Sequence, residues 1–280
     1  MGRADGAALR LELADRVITT ERPAFVMGIV NATPDSFFAA SRGDADRALR
    51  LIDEGADILD IGGESTRPGA DYVDADEEIR RIVPVLRAVR RHSSVPVSVD
   101  TRKSAVLRAA LDEGADMLND VSALEDDEQS AAVAARAKIP VILMHKRGVP
   151  AIMQEDTAYG DVFAEVDAYL HGRVRYALAR GIADNKIILD PGIGFGKDAG
   201  ANCTLIRQCG QLCGGRYPVL MALSRKTVIG ALTGRAAEGR LAGTLAANLL
   251  AVMAGASLLR VHDVQETVDA LAVLGGIGYN

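Results

Sequence analysis

The chain has 280 residues, of which 49% are hydrophobic and 25% are charged, and its formal net charge is −6. This is the balance of an ordinary globular protein, and the length suits one large domain as well as two small ones. The negative charge argues against a nucleic-acid groove or an anionic membrane surface as the main partner, but it leaves room for a local site that binds a small anion.

Three features bear on where the protein works. Cys203, Cys209 and Cys213 lie close together without CxxC spacing, which favours free thiols in a reducing compartment over metal ligands. The first residues lack the apolar core of a signal peptide. The longest apolar run, residues 245–259, contains an Asn and is too short to span a bilayer. We therefore expect a cytoplasmic protein with no membrane partner.

Eight short apolar runs follow one another along the chain, as buried parallel strands do. They are residues 25–30, 58–61, 97–99, 117–118, 141–144, 187–189, 219–223 and 258–261. Amphipathic stretches between them predict helices, among them 44–54, 76–91, 104–113, 128–137, 161–180 and 240–254. Three near copies of one junction, residues 54–60, 113–119 and 254–260, each place a Gly at a helix end just before an apolar strand.

An alternation of strands and helices leaves two architectures, a closed barrel and an open doubly wound sheet. The count of eight favours the barrel, so we predict an α/β fold with a single (β/α)₈ TIM barrel. No shift in composition divides the chain. We expect one domain over residues 1–280, with an N-terminal extension over 1–22 and the barrel from about residue 23.

Polar side chains follow every predicted strand. In a barrel these strand ends share one face, where enzymes of this architecture carry their chemistry. Helix caps are the alternative explanation, because Asp, Asn and Ser often cap the next helix. Caps explain one or two of these residues but do not explain a Lys, two Arg and two His on the same rim: Lys226, Arg67, Arg260, His145 and His262.

Three rim residues suit a flat heterocycle. Asp100, Asn119 and Asp190 offer acceptors plus one amide, which fits a donor-rich ring of the guanidine-amide type. A carboxylate that faces two ring N–H groups forms charge-assisted bonds worth about 1.5–3 kcal/mol each when it is shielded from water. The glycine-rich run 190–197 fits neither a P-loop nor a dinucleotide fingerprint, and we interpret its glycines as letting the backbone pass close to a flat ligand.

Other rim residues offer hydrogen-bond donors that suit a phosphate or a diphosphate. They are Arg67, Lys226, Arg260 and His262. Asn31, at the end of the first strand, would supply a neutral oxygen to a Mg²⁺ ion held mainly by phosphate oxygens and water. The two groups of side chains predict a ligand with a polar ring at one end and a diphosphate at the other.

Eight short strings of this sequence, taken in order, resemble those of the dihydropteroate synthase family. They are NATPDSF at 31–37, DIGGESTRPG at 60–69, SVDT at 98–101, LNDV at 118–121, MH at 144–145, LDPGIGF at 189–195, SRK at 224–226 and RVHD at 260–263. The resemblance runs from about Phe25 to the end of the chain, and the string GGESTRPG is specific by itself.

The resemblance implies a transferase of folate biosynthesis. Members of the family join p-aminobenzoate to 6-hydroxymethyl-7,8-dihydropterin diphosphate and release diphosphate and 7,8-dihydropteroate. It also implies Mg²⁺ as the metal, the two small molecules as the only substrates, and a homodimer formed through barrel helices near the carboxyl end. The predicted helix at 240–254 would suit such an interface, although burial inside the barrel would explain its composition equally well.

Roles follow by resemblance for the residues that match. Asp100, Asn119, Asp190 and Lys226 match the catalytic residues that hold the pterin, with Lys226 at its carbonyl and ring nitrogen. The diphosphate residues are Asn31, Arg67, Arg260 and His262, with Asn31 also the metal ligand. The p-aminobenzoate residues are Thr66, Pro68, Phe195 and Thr227, the last at a position where the family often has Ser.

The first rim loop departs from the family pattern. Asp35 matches, but the usual Ser-Asp-Gly-Gly after it is replaced here by Phe38-Ala39-Ala40-Ser41. Alanines restrict the backbone and favour helix, so we expect the next helix to extend backward into the loop. We also expect an active enzyme with a raised KM for p-aminobenzoate.

Two other functions are compatible with parts of this pattern. A pterin-binding methyltransferase barrel would share the Asp, Asn and Asp set, but it would have little use for the diphosphate donors or for GGESTRPG. A weakly active or purely ligand-binding paralogue would retain the motifs with an altered first loop.

Overall fold

The computed structural model describes residues 8–32, 39–65, 72–148 and 157–279, with the backbone alone at 39–42. Within these ranges the strands are β1 Leu9–Glu12, β2 Val17–Thr20, β3 Phe25–Asn31, β4 Ile58–Gly62, β5 Val97–Asp100, β6 Met117–Asp120, β7 Val141–Met144, β8 Ile187–Asp190, β9 Leu220–Met221 and β10 Leu258–Val261. The helices are α1 Ala39–Asp53, α2 Ala75–His92, α3 Ser104–Asp112, α4 Gln129–Ala137, α5 Val162–Ala179, α6 Ala199–Gln208, α7 Thr227–Thr233, α8 Leu241–Met253 and α9 Val264–Gly276.

Eight of the strands form one parallel sheet that closes on itself. The order of neighbours is β8, β7, β6, β5, β4, β3, β10, β9, and an isolated parallel bridge between Leu189 and Val219 joins the two ends. The Leu189 N–H donates to the carbonyl of Pro218 at 3.0 Å across this seam. The predicted (β/α)₈ barrel is confirmed.

Both faces of the strands are buried, which explains their continuous apolar sequences. Outward residues such as Val26, Leu59 and Leu118 pack under the helices in one large core. The three repeated junctions have the predicted geometry, because Gly55, Gly114 and Gly255 follow helices with φ of 97°, 86° and 108°. Only glycine adopts that backbone readily, so each one ends its helix and directs the chain into the next strand.

The element bounds differ from the sequence prediction at several ends, most by one or two residues, and two of the differences have a physical reason. The predicted strand 219–223 shortens to β9, because only Leu220 and Met221 form the ladder with β10. Helix α1 begins at Ala39, five residues before the predicted start. This earlier start agrees with the expected effect of the alanines, which favour helix where the family usually has glycine.

The N-terminal extension forms a hairpin that the sequence analysis did not predict. Strands β1 and β2 pair antiparallel, with Leu11 opposite Ile18. Leu11 and Leu13 join an inner core whose barrel members, among them Phe25 and Leu258, lie at or near the amino ends of their strands. The hairpin therefore covers the end of the barrel opposite the predicted rim.

Two expectations about the chain as a whole can be compared with the structure. Cys203, Cys209 and Cys213 are free thiols, as predicted. Among the residues that the structure describes, no helix has both the length and the apolar composition needed to cross a bilayer.

The hairpin generates a stability prediction. Leu11 is 6% exposed within the inner core, whereas Val17, on the second strand of the same hairpin, is 43% exposed. We expect Leu11→Ala to lower the free energy of unfolding by about 2–4 kcal/mol, because it removes buried methyl groups and leaves a cavity. Val17→Ala is the matched control and should change it by less than about 0.5 kcal/mol. Urea unfolding of both variants measures the difference, and equal effects would contradict the assignment of Leu11 to the core.

Candidate functional site

The three predicted acceptor residues lie buried at the carboxyl ends of their strands. Asp100 ends β5, Asn119 is the next-to-last residue of β6, and the two are register partners on neighbouring strands. Asp190 ends β8 and pairs in register with Met144 of β7. Their exposed fractions are 9%, 4% and 3% respectively. Parallel register thus places all three on the inner side of one rim, as the sequence predicts.

Arg260 connects this group to a carboxylate that the sequence analysis did not assign. Its Nε donates to Asp60 Oδ2 at 2.5 Å and its Nη2 donates to Asp100 Oδ2 at 2.7 Å. The Asn119 amide Nδ2 donates to the same Asp60 oxygen at 3.1 Å. A predicted diphosphate residue is therefore bonded directly to one predicted pterin residue, and shares an acceptor with another.

The glycine turn after β8 joins Asp190 to Lys226 and Phe195. The backbone N–H of Gly192 donates to Asp190 Oδ1 at 2.7 Å. The Lys226 ammonium donates to the carbonyl of Ile193 at 2.6 Å and lies 5.0 Å from the centre of the Phe195 ring. One turn thus brings together residues predicted for the pterin and for p-aminobenzoate.

Glycine at position 192 is required by packing against the protein itself. Gly192 has φ of 68°, and a Cβ built there would lie 1.8 Å from the His145 carbonyl oxygen. From the sequence alone, such glycines are expected to let the backbone pass close to a ligand. At Gly192 the close approach is to the end of β7, so the glycine allows the turn to lie against the neighbouring strand.

A buried lysine holds the same turn from behind. Lys197 is 3% exposed, and its ammonium donates to the carbonyls of Gly192 and Phe195, each at 2.9 Å. It also lies 2.9 Å from His145 Nδ1. Burial lowers the pKa of His145 to about 3, so its imidazole is neutral and Nδ1 accepts from Lys197. His145 therefore contributes to the shape of the turn.

His262 follows β10, next to the Arg260 strand end. Its backbone N–H donates to Ser224 Oγ at 3.2 Å, and its Nδ1 lies 3.0 Å from the same oxygen. Ser224 Oγ accepts the first bond, and the direction of the second is set by the tautomer of the ring. Burial, and after it the charge of Arg260, lower the pKa of His262 to about 4. The residue is therefore an uncharged N–H donor at neutral pH.

The turn that carries Ser224 and Lys226 has a strained centre. Arg225 lies between them with φ of 57°, a conformation that non-glycine residues seldom adopt. Its guanidinium binds Asp263 through two bonds, Nε to Oδ2 at 3.0 Å and Nη2 to Oδ1 at 2.6 Å. This ion pair links the turn after β9 to the turn after β10, and it fixes Ser224 and the predicted site residue Lys226 on either side of Arg225.

The other predicted site residues divide into two groups. Asn31 is the exposed last residue of β3, whose neighbour in the sheet is β10, and Thr227 is exposed at the start of α7. Four predictions, those for Asp35, Thr66, Arg67 and Pro68, lie outside the described residues. For these four the assignments remain predictions from the sequence.

The electrostatics of the site reflect two carboxylates that share one guanidinium. Burial raises the pKa of Asp100 to about 7; Arg260 opposes this rise and Asp60 adds to it. Burial also lowers the pKa of Lys226 to about 8, against the attraction of Asp190. Such shifted groups at the end of a barrel mark a functional site.

Asp60 and Lys197 are the contributors that the sequence analysis missed. A feature of the sequence could have indicated each of them. Asp60 is a charge inside the apolar run Leu59-Asp60-Ile61, and a buried charge needs a partner. Lys197 directly follows the last glycine of the turn.

Fold and site together define a barrel enzyme that binds a small, donor-rich molecule beside an anion. The model of the family described as pterin binding enzyme matches residues 27–262. The dihydropteroate synthase of Neisseria meningitidis serogroup C is 46% identical over 264 residues, which cover 91% of this chain and 93% of that protein.

Two solved structures from Xanthomonas albilineans have the same fold. Its dihydropteroate synthase with 4-aminobenzoic acid has a TM-score of 0.89 and 46% identity, covering 97% of this chain and 98% of that one. The same enzyme in complex with 7,8-dihydropteroate has a TM-score of 0.85 and 43% identity, covering 96% and 98%. The chain therefore belongs to the pterin-binding enzymes and, among them, to the dihydropteroate synthase family.

The raised pKa of Asp100 predicts how the stability of the folded protein changes with pH. Because the pKa of Asp100 is about 7 in the folded protein, the native state holds a proton that the unfolded state, with an Asp pKa near 4, releases. The cost of ionising Asp100 in the folded protein therefore grows as the pH rises from about 5.5 to 7. Relative to wild type, Asp100→Asn should gain about 2 kcal/mol of stability between pH 5.5 and 8. Urea unfolding of both proteins at both pH values measures this gain, and an unchanged difference would contradict the raised pKa.

Proposed function

We propose that this chain is a dihydropteroate synthase, which joins p-aminobenzoate to 6-hydroxymethyl-7,8-dihydropterin diphosphate and releases diphosphate and 7,8-dihydropteroate. The observation that carries the proposal is the buried group of Asp100, Asn119 and Asp190 at one rim, with Arg260 bonded to Asp100. The names of the similar proteins support it, since relatives that match nearly the whole chain are dihydropteroate synthases.

The pterin binds at the buried end of the site. The ring presents N–H groups along its guanidine-amide edge, and Asp100 and Asp190 supply carboxylate acceptors in a place that excludes water. Asn119 adds an amide, and Lys226 donates to the ring carbonyl and a ring nitrogen. Lys226 now donates to Ile193, so a pterin carbonyl nearby would take over or share that bond.

The diphosphate binds where Arg260 and His262 end β10. The guanidinium has donors on Nη1 that the bonds to Asp60 and Asp100 leave for a ligand. His262 contributes the N–H of its neutral ring, which lengthens the row of donors without adding charge. Arg67 belongs to the same anion site by its position in the sequence motif.

The residues present fit a Mg²⁺ ion that arrives with the diphosphate. Asn31 offers one neutral oxygen at the rim end of β3, beside the strand that carries Arg260 and His262. Magnesium keeps several waters and binds through substrate phosphates with few protein ligands, so one amide oxygen is a suitable anchor. When bound, the ion would neutralise charge on the leaving diphosphate.

The p-aminobenzoate binds nearer the outside. Phe195 is half-buried and Thr227 is exposed. The Lys226 ammonium lies 5.0 Å from the centre of the Phe195 ring and interacts electrostatically with the buried Asp190. Thr66 and Pro68 complete this pocket by their sequence positions. The second substrate would therefore lie over the exocyclic carbon of a bound pterin.

The chemistry follows from these placements. The bond between the exocyclic carbon and the diphosphate oxygen breaks, and its electron pair leaves with the diphosphate, where Arg260 and His262 donate hydrogen bonds. The resulting pterin cation is stabilised by the neighbouring Asp100 and Asp190 carboxylates. The arylamine nitrogen then bonds to this carbon and loses a proton to solvent. No protein nucleophile is needed, and the protein contributes orientation and charge stabilisation.

A direct assay tests the proposal. Purified protein with the pterin diphosphate, p-aminobenzoate and Mg²⁺ should form equal amounts of 7,8-dihydropteroate and diphosphate, and a chelator should reduce the rate. Asp190→Asn should fold normally but weaken pterin binding by about 2–4 kcal/mol, because its amide presents a donor to ring donors. Binding of the pterin diphosphate without product would favour a ligand-binding paralogue. Failure to bind it would contradict the proposal.

We further propose that the protein is a homodimer through α8 and α9. These two helices pack against each other and leave large apolar side chains uncovered. Leu250 and Met253 of α8 are 59% and 52% exposed, and Val273 and Ile277 at the end of α9 are 64% and 68% exposed. Exposed apolar side chains on two helices that pack together favour a self-complementary contact with a second copy.

The dimer proposal predicts a change in molecular mass. Leu250→Asp should convert the dimer to a monomer, because two charges would meet across a two-fold contact without partners. Leu178→Asp is the matched control, since Leu178 is 39% exposed at the end of α5, on another part of the barrel. Light scattering after size-exclusion chromatography reads the mass directly. A monomeric wild type, or dissociation by both variants, would contradict the assigned interface.

A further inference from the structure

Asp60 is a buried charge that the proposed reaction does not use. It lies in the middle of β4, is 0% exposed, and its Oδ2 accepts from both Arg260 Nε at 2.5 Å and Asn119 Nδ2 at 3.1 Å. We propose that Asp60 is a positioning residue that holds the diphosphate-binding Arg260 and the pterin-binding Asn119 in one common frame. The inference rests on the proposed function, because it assigns Asp60 to that reaction.

The hydrogen bonds of Arg260 to Asp60 and to Asp100 respond differently to substrate binding. The bond to Asp100 occupies a carboxylate that the pterin ring requires, so this bond must be shared or exchanged on binding. The bond to Asp60 lies deeper, with no solvent to replace it. Arg260 therefore keeps its Nε bond to Asp60, while its two Nη groups become free to donate to the diphosphate.

Asp60 also determines which way the Asn119 amide faces. Because Nδ2 donates to Asp60, the amide oxygen is the atom left to meet the ligand. A donor-rich ring needs an acceptor at this place. An amide at position 60 has one uncharged oxygen for the two donors, so it holds the Asn119 amide less firmly than the carboxylate does. The reversed Asn119, which presents a donor to a donor, then becomes more populated.

One oxygen of Asp60 thus links the two halves of the site. If the carboxylate only compensated the charge of Arg260, its neutralisation would lower stability and leave the selectivity for ligands unchanged. If it positions both partners, neutralisation weakens the pterin contact through Asn119 and the diphosphate contact through Arg260. Affinities for a pterin with and without its diphosphate separate these two contributions.

The test is Asp60→Asn, with calorimetric titration of 6-hydroxymethyl-7,8-dihydropterin and of its diphosphate with Mg²⁺. We expect affinity for the phosphate-free pterin to fall at least about tenfold, and affinity for the diphosphate to fall further, by at least about tenfold again. Ser98→Ala is the matched control. Ser98 is the register partner of Asp60 on β5, its buried hydroxyl has no partner among the described residues, and its loss should leave both affinities within about twofold.

The double variant that combines Arg260→Gln with Asp60→Asn tests whether the loss of diphosphate affinity depends on Arg260. In Arg260→Gln, the part of the diphosphate affinity that depends on Arg260 is already lost. Adding Asp60→Asn should therefore not reduce the remaining diphosphate contribution, while the phosphate-free pterin still binds more weakly. The double variant also has no unpaired buried guanidinium, so it supplies the measurement if Asp60→Asn alone does not fold.

Three outcomes would overturn the proposal. They are wild-type affinities in folded Asp60→Asn, unchanged pterin affinity when Asp60→Asn is added to Arg260→Gln, and losses of diphosphate affinity that multiply in the double variant. Turnover of the wild-type preparation is measured alongside. A wild type that binds both ligands without turnover contradicts the proposed synthase reaction, whereas the affinities alone decide the role of Asp60.

Discussion

Arg260 lies between two buried carboxylates, and the arrangement of the site follows from where its two bonds go. The guanidinium is planar, so its Nε and Nη2 donors can serve Asp60 and Asp100 only if those carboxylates stand on the same side of the barrel. Parallel register supplies that condition, because β4 and β5 are neighbours and Gly62 pairs with Asp100. A shift of one residue in either strand would turn one carboxylate into the outer core.

The sequence predicts the barrel well because its evidence is repetitive and local. Buried parallel strands are continuous apolar runs, and the glycines at 55, 114 and 255 mark where each helix ends. The strand bounds at 141–144 and 258–261 agree with β7 and β10. Strand β9 is shorter than its apolar sequence, because an apolar residue beside a strand can be buried without forming a ladder bond. The hairpin strands β1 and β2, with sequences LRLE and VITT, contain polar residues and are mostly not buried, so neither forms the continuous apolar run by which the barrel strands were recognised.

The residues of the site could be predicted from the sequence, but the hydrogen bonds and ion pairs between them could not. Asp100, Asn119 and Asp190 all follow apolar strands, so their shared rim is a consequence of the fold. The partner of Arg260 at Asp60 lies 200 residues away in sequence, and no local pattern reports a contact of that kind. The same is true of Lys197, which lies 52 residues from His145. In both cases the residue type shows that a buried charge needs a partner, and only the three-dimensional fold shows which one.

The hairpin at the amino end of the barrel also bears on how ligands reach the site. With Leu11 and Leu13 packed among the first residues of the strands, the amino end of the barrel is covered, and the predicted site residues lie at the opposite end. At that end Asp100 and Asp190 are buried, whereas Phe195 is half-buried and Thr227 is exposed. A molecule bound beside Phe195 and Thr227 would block the entry of a second molecule to Asp100 and Asp190. Under the proposed assignment, the pterin diphosphate must therefore bind at the buried carboxylates before p-aminobenzoate covers it.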